Sequence, residues 1–235
     1  MALTIGGVEF PTSGDCTFNG DSVEVINVNG VEYWKQGLPS AYQEVEYVRA
    51  TGTQHIDTGF TPDNNTRVKC VLSWQQFNNS YWGGFGAGSS STSRAFECYV
   101  YSSYVNWNFY NNSYGADDAK GYAGSTGIKY RIDANKNVFT ITRDTTSELL
   151  KTITATNGTF TCPYTMYLFG SHRATSGHGY VTFYGHVYIY DNGTLVREFV
   201  PCYRKSDTVI GMYDLVGKTF YTNGGTGTFS KGSDV

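Results

Sequence analysis

Chemistry in this 235-residue chain would have to come from its four histidines, its carboxylates, its cysteines or its serines. The histidines, His55, His172, His178 and His186, never take the H-E-x-x-H spacing that sets two imidazoles on one face of a helix for zinc. His172 and His178 bracket a loop from Arg173 to Gly177 and read as solvated, with ligand contact as the alternative. Asp117-Asp118, close in sequence to Asp133, would supply half of a calcium site, because hard cations need several oxygens; a solvated loop is the plainer reading. No G-x-S-x-G string marks a nucleophile elbow. The five cysteines, Cys16, Cys70, Cys98, Cys162 and Cys202, are odd in number, far apart and never in a C-x-x-C pair. That pattern favours small apolar core fillers over a disulfide framework or a zinc site. No catalytic residue, metal or cofactor is therefore expected.

Binding chemistry has a clearer address. From Tyr99 to Tyr114 the chain reads Tyr-Val-Tyr-Ser-Ser-Tyr-Val-Asn-Trp-Asn-Phe-Tyr-Asn-Asn-Ser-Tyr. Rigid aromatics supply contact area at low entropic cost, and amides supply adaptable hydrogen bonds. Flat rings also suit the apolar C–H face of a sugar. Alternation divides the segment: Val105, Trp107 and Phe109 are assigned to the core, and Tyr101, Tyr104, Tyr110 and Tyr114 to a ligand-binding face.

The elements that must position these residues are strands. The 20 tyrosines and 28 glycines favour strands and turns, and together they point to an all-β protein. Val68, Cys70, Leu72 and Trp74 face one way, with Arg67, Lys69, Val71 and Ser73 opposite, the period of a half-buried strand. Asn19-Gly20, Asn29-Gly30, Asn157-Gly158, Asn192-Gly193 and Asn223-Gly224 each mark a two-residue hairpin, since both residues tolerate positive φ. A turn at Asn192-Gly193 would set Tyr190 opposite Leu195, Ile189 opposite Val196 and Tyr188 opposite Arg197, the last as a cation–π pair. Gly86-Ala87-Gly88, followed by Ser89 to Ser93, reads as a mobile loop tip. Gly37-Leu38-Pro39-Ser40 breaks the pattern. Residues 1–36 then form a small β appendage, 37–41 a linker and 42–235 the main module.

A net charge of −3, with 16% of residues charged, argues against electrostatic nucleic-acid binding. No run approaches the roughly 20 apolar residues of a membrane helix. The start, Met1-Ala2-Leu3-Thr4-Ile5-Gly6-Gly7, lacks the basic and apolar regions of a signal peptide, so the chain is expected to be made in a cytoplasm.

Two longer signatures carry a family resemblance. The first is Leu38-Pro39-Ser40-Ala41-Tyr42-Gln43-Glu44-Val45-Glu46-Tyr47-Val48, followed by Thr51-Gly52-Thr53-Gln54-His55-Ile56-Asp57-Thr58-Gly59-Phe60. The second runs from Tyr188 through Asn192-Gly193 to Pro201-Cys202, then Gly211-Met212-Tyr213-Asp214 and Phe220-Tyr221-Thr222-Asn223-Gly224-Gly225-Thr226-Gly227-Thr228-Phe229. From about Leu38 onward the chain resembles β-sandwich modules of phages and prophages of gut bacteria, related in fold to the concanavalin A and laminin-G lectins. The resemblance implies a jelly-roll sandwich of two antiparallel sheets, carried by a virion structural protein of tail, baseplate or fibre type. Host-surface or mucus glycan would be its ligand, and residues 1–36 would dock it onto other virion proteins. Weak single-sugar contacts imply a homo-oligomer. A purely structural capsid or tail decoration protein is the alternative, and a glycoside hydrolase the second. Hydrolysis needs two carboxyls about 5–5.5 or 6.5–9.5 Å apart. Sandwich laminarinases carry theirs as E-x-D-x-x-E, and no such string occurs; Glu44 and Glu46 share a strand face but stand near the sandwich edge.

Overall fold

The computed structural model describes residues 37–77, 82–89, 94–110, 121–173 and 177–235, and, before residue 37, the backbone of six short strands. Those six pair as three antiparallel hairpins: β1 (Leu3–Ile5) with β2 (Val8–Phe10), β3 (Cys16–Phe18) with β4 (Asp21–Val23), and β5 (Val25–Val28) with β6 (Val31–Lys35). The main module follows with β7 (Tyr42–Glu44), β8 (Tyr47–Arg49), β9 (Ile56–Asp57), β10 (Thr66–Trp74), β11 (Trp82–Ala87), β12 (Ala95–Tyr101), β13 (Tyr104–Tyr110), β14 (Gly121–Ala123), β15 (Tyr130–Asn135) and β16 (Val138–Arg143). It continues through β17 (Leu149–Thr154), β18 (Tyr167–Leu168), β19 (Gly170–Ser171), β20 (Gly177–His178), β21 (Val181–Asp191), β22 (Thr194–Arg204), β23 (Ile210–Asp214), β24 (Thr219–Tyr221) and β25 (Ser230–Lys231). No helix occurs among the described residues, so none is long and apolar enough to cross a membrane.

Two antiparallel sheets form a β-sandwich. The larger runs β17-β16-β15-β10-β21-β22-β23-β24, with β7, β8 and β25 joined at its side; the smaller runs β14-β13-β12-β11-β18-β9. Apolar alternation explains why they stack. Val68, Leu72, Ile132, Phe139, Ile141 and Phe183 point inward from the larger sheet to meet Phe85, Phe96, Val100, Trp107 and Phe109 from the smaller. Trp107 lies nearly parallel to Phe139 across the gap, centroids 4.9 Å apart. Val105, Trp107 and Phe109 are therefore core residues, as alternation predicts. Cys70, Cys98, Cys162 and Cys202 are buried free thiols, and burial pushes Cys202 up to about 12.

The Asn192-Gly193 step is a two-residue turn with φ of 46° and 85°, pairing Asp191 with Thr194 and Tyr190 with Leu195. A bulge between Ile189 and Tyr190 then shifts the register by one. Ile189 meets Arg197 and Tyr188 meets Glu198, so the expected Ile189–Val196 and Tyr188–Arg197 pairs do not form. The shift turns Arg197 toward Asp214, at 3.4 Å, instead of onto Tyr188. Asn29-Gly30 and Asn19-Gly20 also stand between paired strands. Asn157-Gly158 and Asn223-Gly224 do not, because their side chains and backbone serve loop contacts. Gly158 packs on the Tyr110 ring, and Asn223 receives the backbone N–H of His55 and Gly225. Gly86, Ala87 and Gly88 are buried strand and its continuation, not a loop tip.

The two signatures meet in space. Gln54, 6% exposed, accepts from Thr51 N and donates to Thr228 O, while Thr53 Oγ1 accepts from Thr226 N. Residues 42–49 are tied to 230–235 by β8–β25 pairing, the Val45–Asp234 bridge and a Val235 N to Glu44 O bond. Replacing Gln54 by Ala leaves the Thr51 N–H and Thr228 carbonyl unpaired in a half-buried clasp. We expect a loss of about 2 kcal/mol in urea unfolding, with a Tm lower by roughly 5 °C.

Candidate functional site

The outer face of the smaller sheet collects the polar and aromatic side chains that alternation excludes from the core. Register across β18, β11, β12 and β13 sets Tyr167, Gly86, Glu97 and Asn108 in one row. Further along β12 and β13 the same face carries Tyr101 and Tyr104, directly opposite one another. Each is 41% exposed, and they are the only exposed aromatic side chains among the described residues. Their turn is Ser102-Ser103, with φ of 49° and 68°. Left-handed backbone without glycine costs of order 1–3 kcal/mol per residue, and such strain gathers at binding sites. The Asn106 amide steadies the turn by donating to Tyr104 O at 2.7 Å and Tyr101 O at 3.4 Å.

The other two tyrosines assigned to this face by alternation are placed differently. Tyr110 has φ of 55°, which ends the strand's alternation and lays its half-buried ring against Phe160. Tyr114 lies outside the described residues, as do Asp117 and Asp118. Asp133 gives both carboxylate oxygens to Arg67, at 2.8 and 2.6 Å. No group of three or more His, Cys, Asp or Glu placed to hold a metal occurs among the described residues.

Glu97, at the middle of the row, is fully buried. Isolated, its charge would cost several kcal/mol. Arg173 embraces both oxygens, Ser171 donates its hydroxyl, and Asn108 Nδ2 donates at 3.0 Å. Gly86 makes room: its φ is 145°, and a Cβ there would stand 2.4 Å from Phe96 O and 2.6 Å from Glu97 Cα. The ion pair fixes residues 170–173 beside β11, where His172 N donates to Gly86 O and Gly88 N donates to His172 O. His172 is thereby laid on Tyr167, centroids 3.9 Å apart. Tyr164 covers its other side at 4.8 Å, and His55 stacks on the far face of Tyr167 at 4.2 Å. Nδ1 of His172 lies 2.9 Å from Thr165 O and Nδ1 of His55 lies 3.0 Å from Thr53 O, so each ring is anchored to a backbone carbonyl. Burial and then Asp57 raise the Tyr167 phenol. His172 is thus held in a four-ring column rather than in a solvated loop. Glu97, Arg173, Tyr164 and Tyr167 escaped sequence reasoning. The available signal was one carboxylate inside Ala95-Phe96-Glu97-Cys98-Tyr99-Val100, a run with no other charge.

A second cluster lies on the outer face of the larger sheet. His186 Nδ1 is 3.0 Å from Glu198 Oε1, and Nε2 is 3.8 Å from Glu44 Oε1. Glu46 instead accepts from Ser233 N, while Glu44 faces His186. The hydrogen bond to Glu198 and then that to Glu44 outweigh burial and raise His186 from 6.5 to about 9.

Arg173→Met should cost about 3–5 kcal/mol by stranding the Glu97 charge, and adding Glu97→Gln should recover much of it; urea unfolding of both variants checks this. His186 binds its proton more tightly folded than unfolded. Its stabilisation is therefore complete below about pH 6.5 and lost as pH rises through about 9. Unfolding of His186→Gln across that window should show a flatter decline than the parent.

No protein-family model matches the chain, and a search of curated proteins finds no match.

Proposed function

We propose that the chain is a virion-associated lectin-like module of jelly-roll type, binding host-surface or mucus glycan through the hairpin tip of Tyr101 and Tyr104. The observation that carries this reading is the exposure of those two rings, paired across a strained Ser102-Ser103 turn while other described aromatics are buried or half-buried. Two adjacent ring faces offer a platform for the C–H face of a sugar. The neighbouring serine hydroxyls supply polar contacts. The sealed environment of Glu97 favours binding over hydrolysis, since a general acid must reach the glycosidic oxygen.

The virion setting rests on the two signatures and on the jelly-roll reading that the pair of antiparallel sheets supports. Residues 1–36 are the docking appendage in this reading, 37–41 the linker and 42–235 the projecting module. Copies in a homo-oligomer raise a weak single-site affinity through effective concentration.

Glycan-array and whole-cell binding by the assembled protein test the proposal. Tyr101→Ala with Tyr104→Ala should reduce binding at least tenfold, the equivalent of about 1.4 kcal/mol. Stability should change by no more than about 0.5 kcal/mol, as for exposed positions generally. Unchanged binding in the double variant overturns the site. Loss of particle assembly, with no glycan bound by the parent, favours the decoration role instead.

A further inference from the structure

The outer face of the larger sheet carries a patch independent of the tyrosine hairpin. Its centre is a relay of cation, ring, ring and cation. The Arg49 guanidinium lies 4.9 Å from the Tyr47 ring centre, Tyr47 meets Tyr184 edge-on at 5.5 Å, and Lys129 Nζ stands 4.1 Å from the Tyr184 centre. One strand away, Lys69 stands opposite Tyr188 on β21 and Asp133 on β15. Asp133 does not neutralise it, because Arg67 already takes both carboxylate oxygens. Asp144 is likewise taken by Arg131.

Across β8, β10, β15 and the turn before β15, five cations, Arg49, Arg67, Lys69, Lys129 and Arg131, thus face two carboxylates, Asp133 and Asp144. Among the described residues, three positive charges stay uncompensated on this face of a chain whose net charge is −3. At its border Glu44 and Glu198 share His186, a cluster that carries one net negative charge when the imidazole is protonated. A ring holds a cation in place without cancelling its charge. The result is a sheet face on which positive charges and tyrosine rings are interspersed, two of the charges held over rings.

We propose that this face binds an acidic polysaccharide, a linear glycan bearing carboxylate or sulfate groups along its length. Arg49, Lys69 and Lys129 pair with the acidic groups, and Tyr184 and Tyr188 lie beside the sugar rings. A glycan fits better than a nucleic-acid duplex, whose charge of one per roughly 1.7 Å exceeds what three free cations on a net-negative chain can answer.

Titration of the full chain with polygalacturonate tests the inference, with neutral dextran, dextran sulfate and a DNA duplex as comparison arms. Polygalacturonate or dextran sulfate should bind, and the one bound more tightly tells carboxylate from sulfate; dextran should not bind. Raising salt from 50 to 200 mM should weaken binding roughly tenfold or more, by counterion release from about three contacts. Lys69→Gln with Lys129→Gln should cost at least about tenfold in affinity at unchanged Tm, and Arg49→Gln, on another strand, should weaken binding independently. Tyr101→Ala with Tyr104→Ala should leave it intact, which separates this surface from the hairpin site. Full binding by the lysine variant, or equal binding of the DNA duplex, overturns the inference.

Discussion

A carboxylate with no access to water must be answered by the protein itself, and much of the smaller sheet's outer face follows from how Glu97 is answered. Its position in the row forbids a side chain at residue 86, because the neighbouring strand must pass against the Glu97 backbone. Its charge recruits Arg173, and Arg173 brings the chain from Gly170 to Arg173 alongside β11. Only then can the His172 ring rest between Tyr164 and Tyr167. One buried charge therefore organises backbone, loop path and ring stacking in turn. Replacing such a pair by apolar residues is often no worse for stability. Its value here lies in specifying one path for a loop that apolar packing alone would hold less uniquely.

What was legible in the sequence was whatever local geometry decides. Alternation assigned Val105, Trp107 and Phe109 to the core and left Tyr101 and Tyr104 outside, because a strand has only two faces. Asn192-Gly193 was legible because both residues must accept positive φ. Its register three residues away was not, since the bulge at Ile189 turns Arg197 toward Asp214 on another strand, a partner that no local pattern announces. Asn223-Gly224 misled because an Asn amide satisfies loop backbone as well as it starts a hairpin. The same limit hid the candidate site's interior. Glu97 and Arg173 stand 76 residues apart, and no local pattern announces a partner at that distance. The Gly86-Ala87-Gly88 run looked like a flexible tip for a related reason: glycine required by a close approach has the same letters as glycine required by freedom.

The two outer faces solve different problems. On the smaller sheet the charge is sealed inside and rings are displayed at the tip, so the surface offers shape more than field. On the larger sheet the rings are partly covered by cations, so the surface offers field at fixed positions. A single sandwich can present both because the core between its sheets is indifferent to what the outward half of each strand carries. Substitutions on either outer face therefore leave the apolar contact between Trp107 and Phe139 untouched.

The pairing of residues 42–49 with 230–235 closes the sandwich on itself, with entry and exit strands hydrogen-bonded side by side. A unit whose two ends leave from one spot behaves as a cassette. Spliced into a surface loop of an unrelated scaffold, it would stretch that loop's anchor points hardly at all, and the host's own folding would scarcely register the insertion. Rejoining the ends with a short linker and opening the chain at Asn192-Gly193 would give a circular permutant with the same sheets. Geometry of this kind makes the sandwich portable between architectures, a property that belongs to the path of its backbone rather than to any residue on its surface.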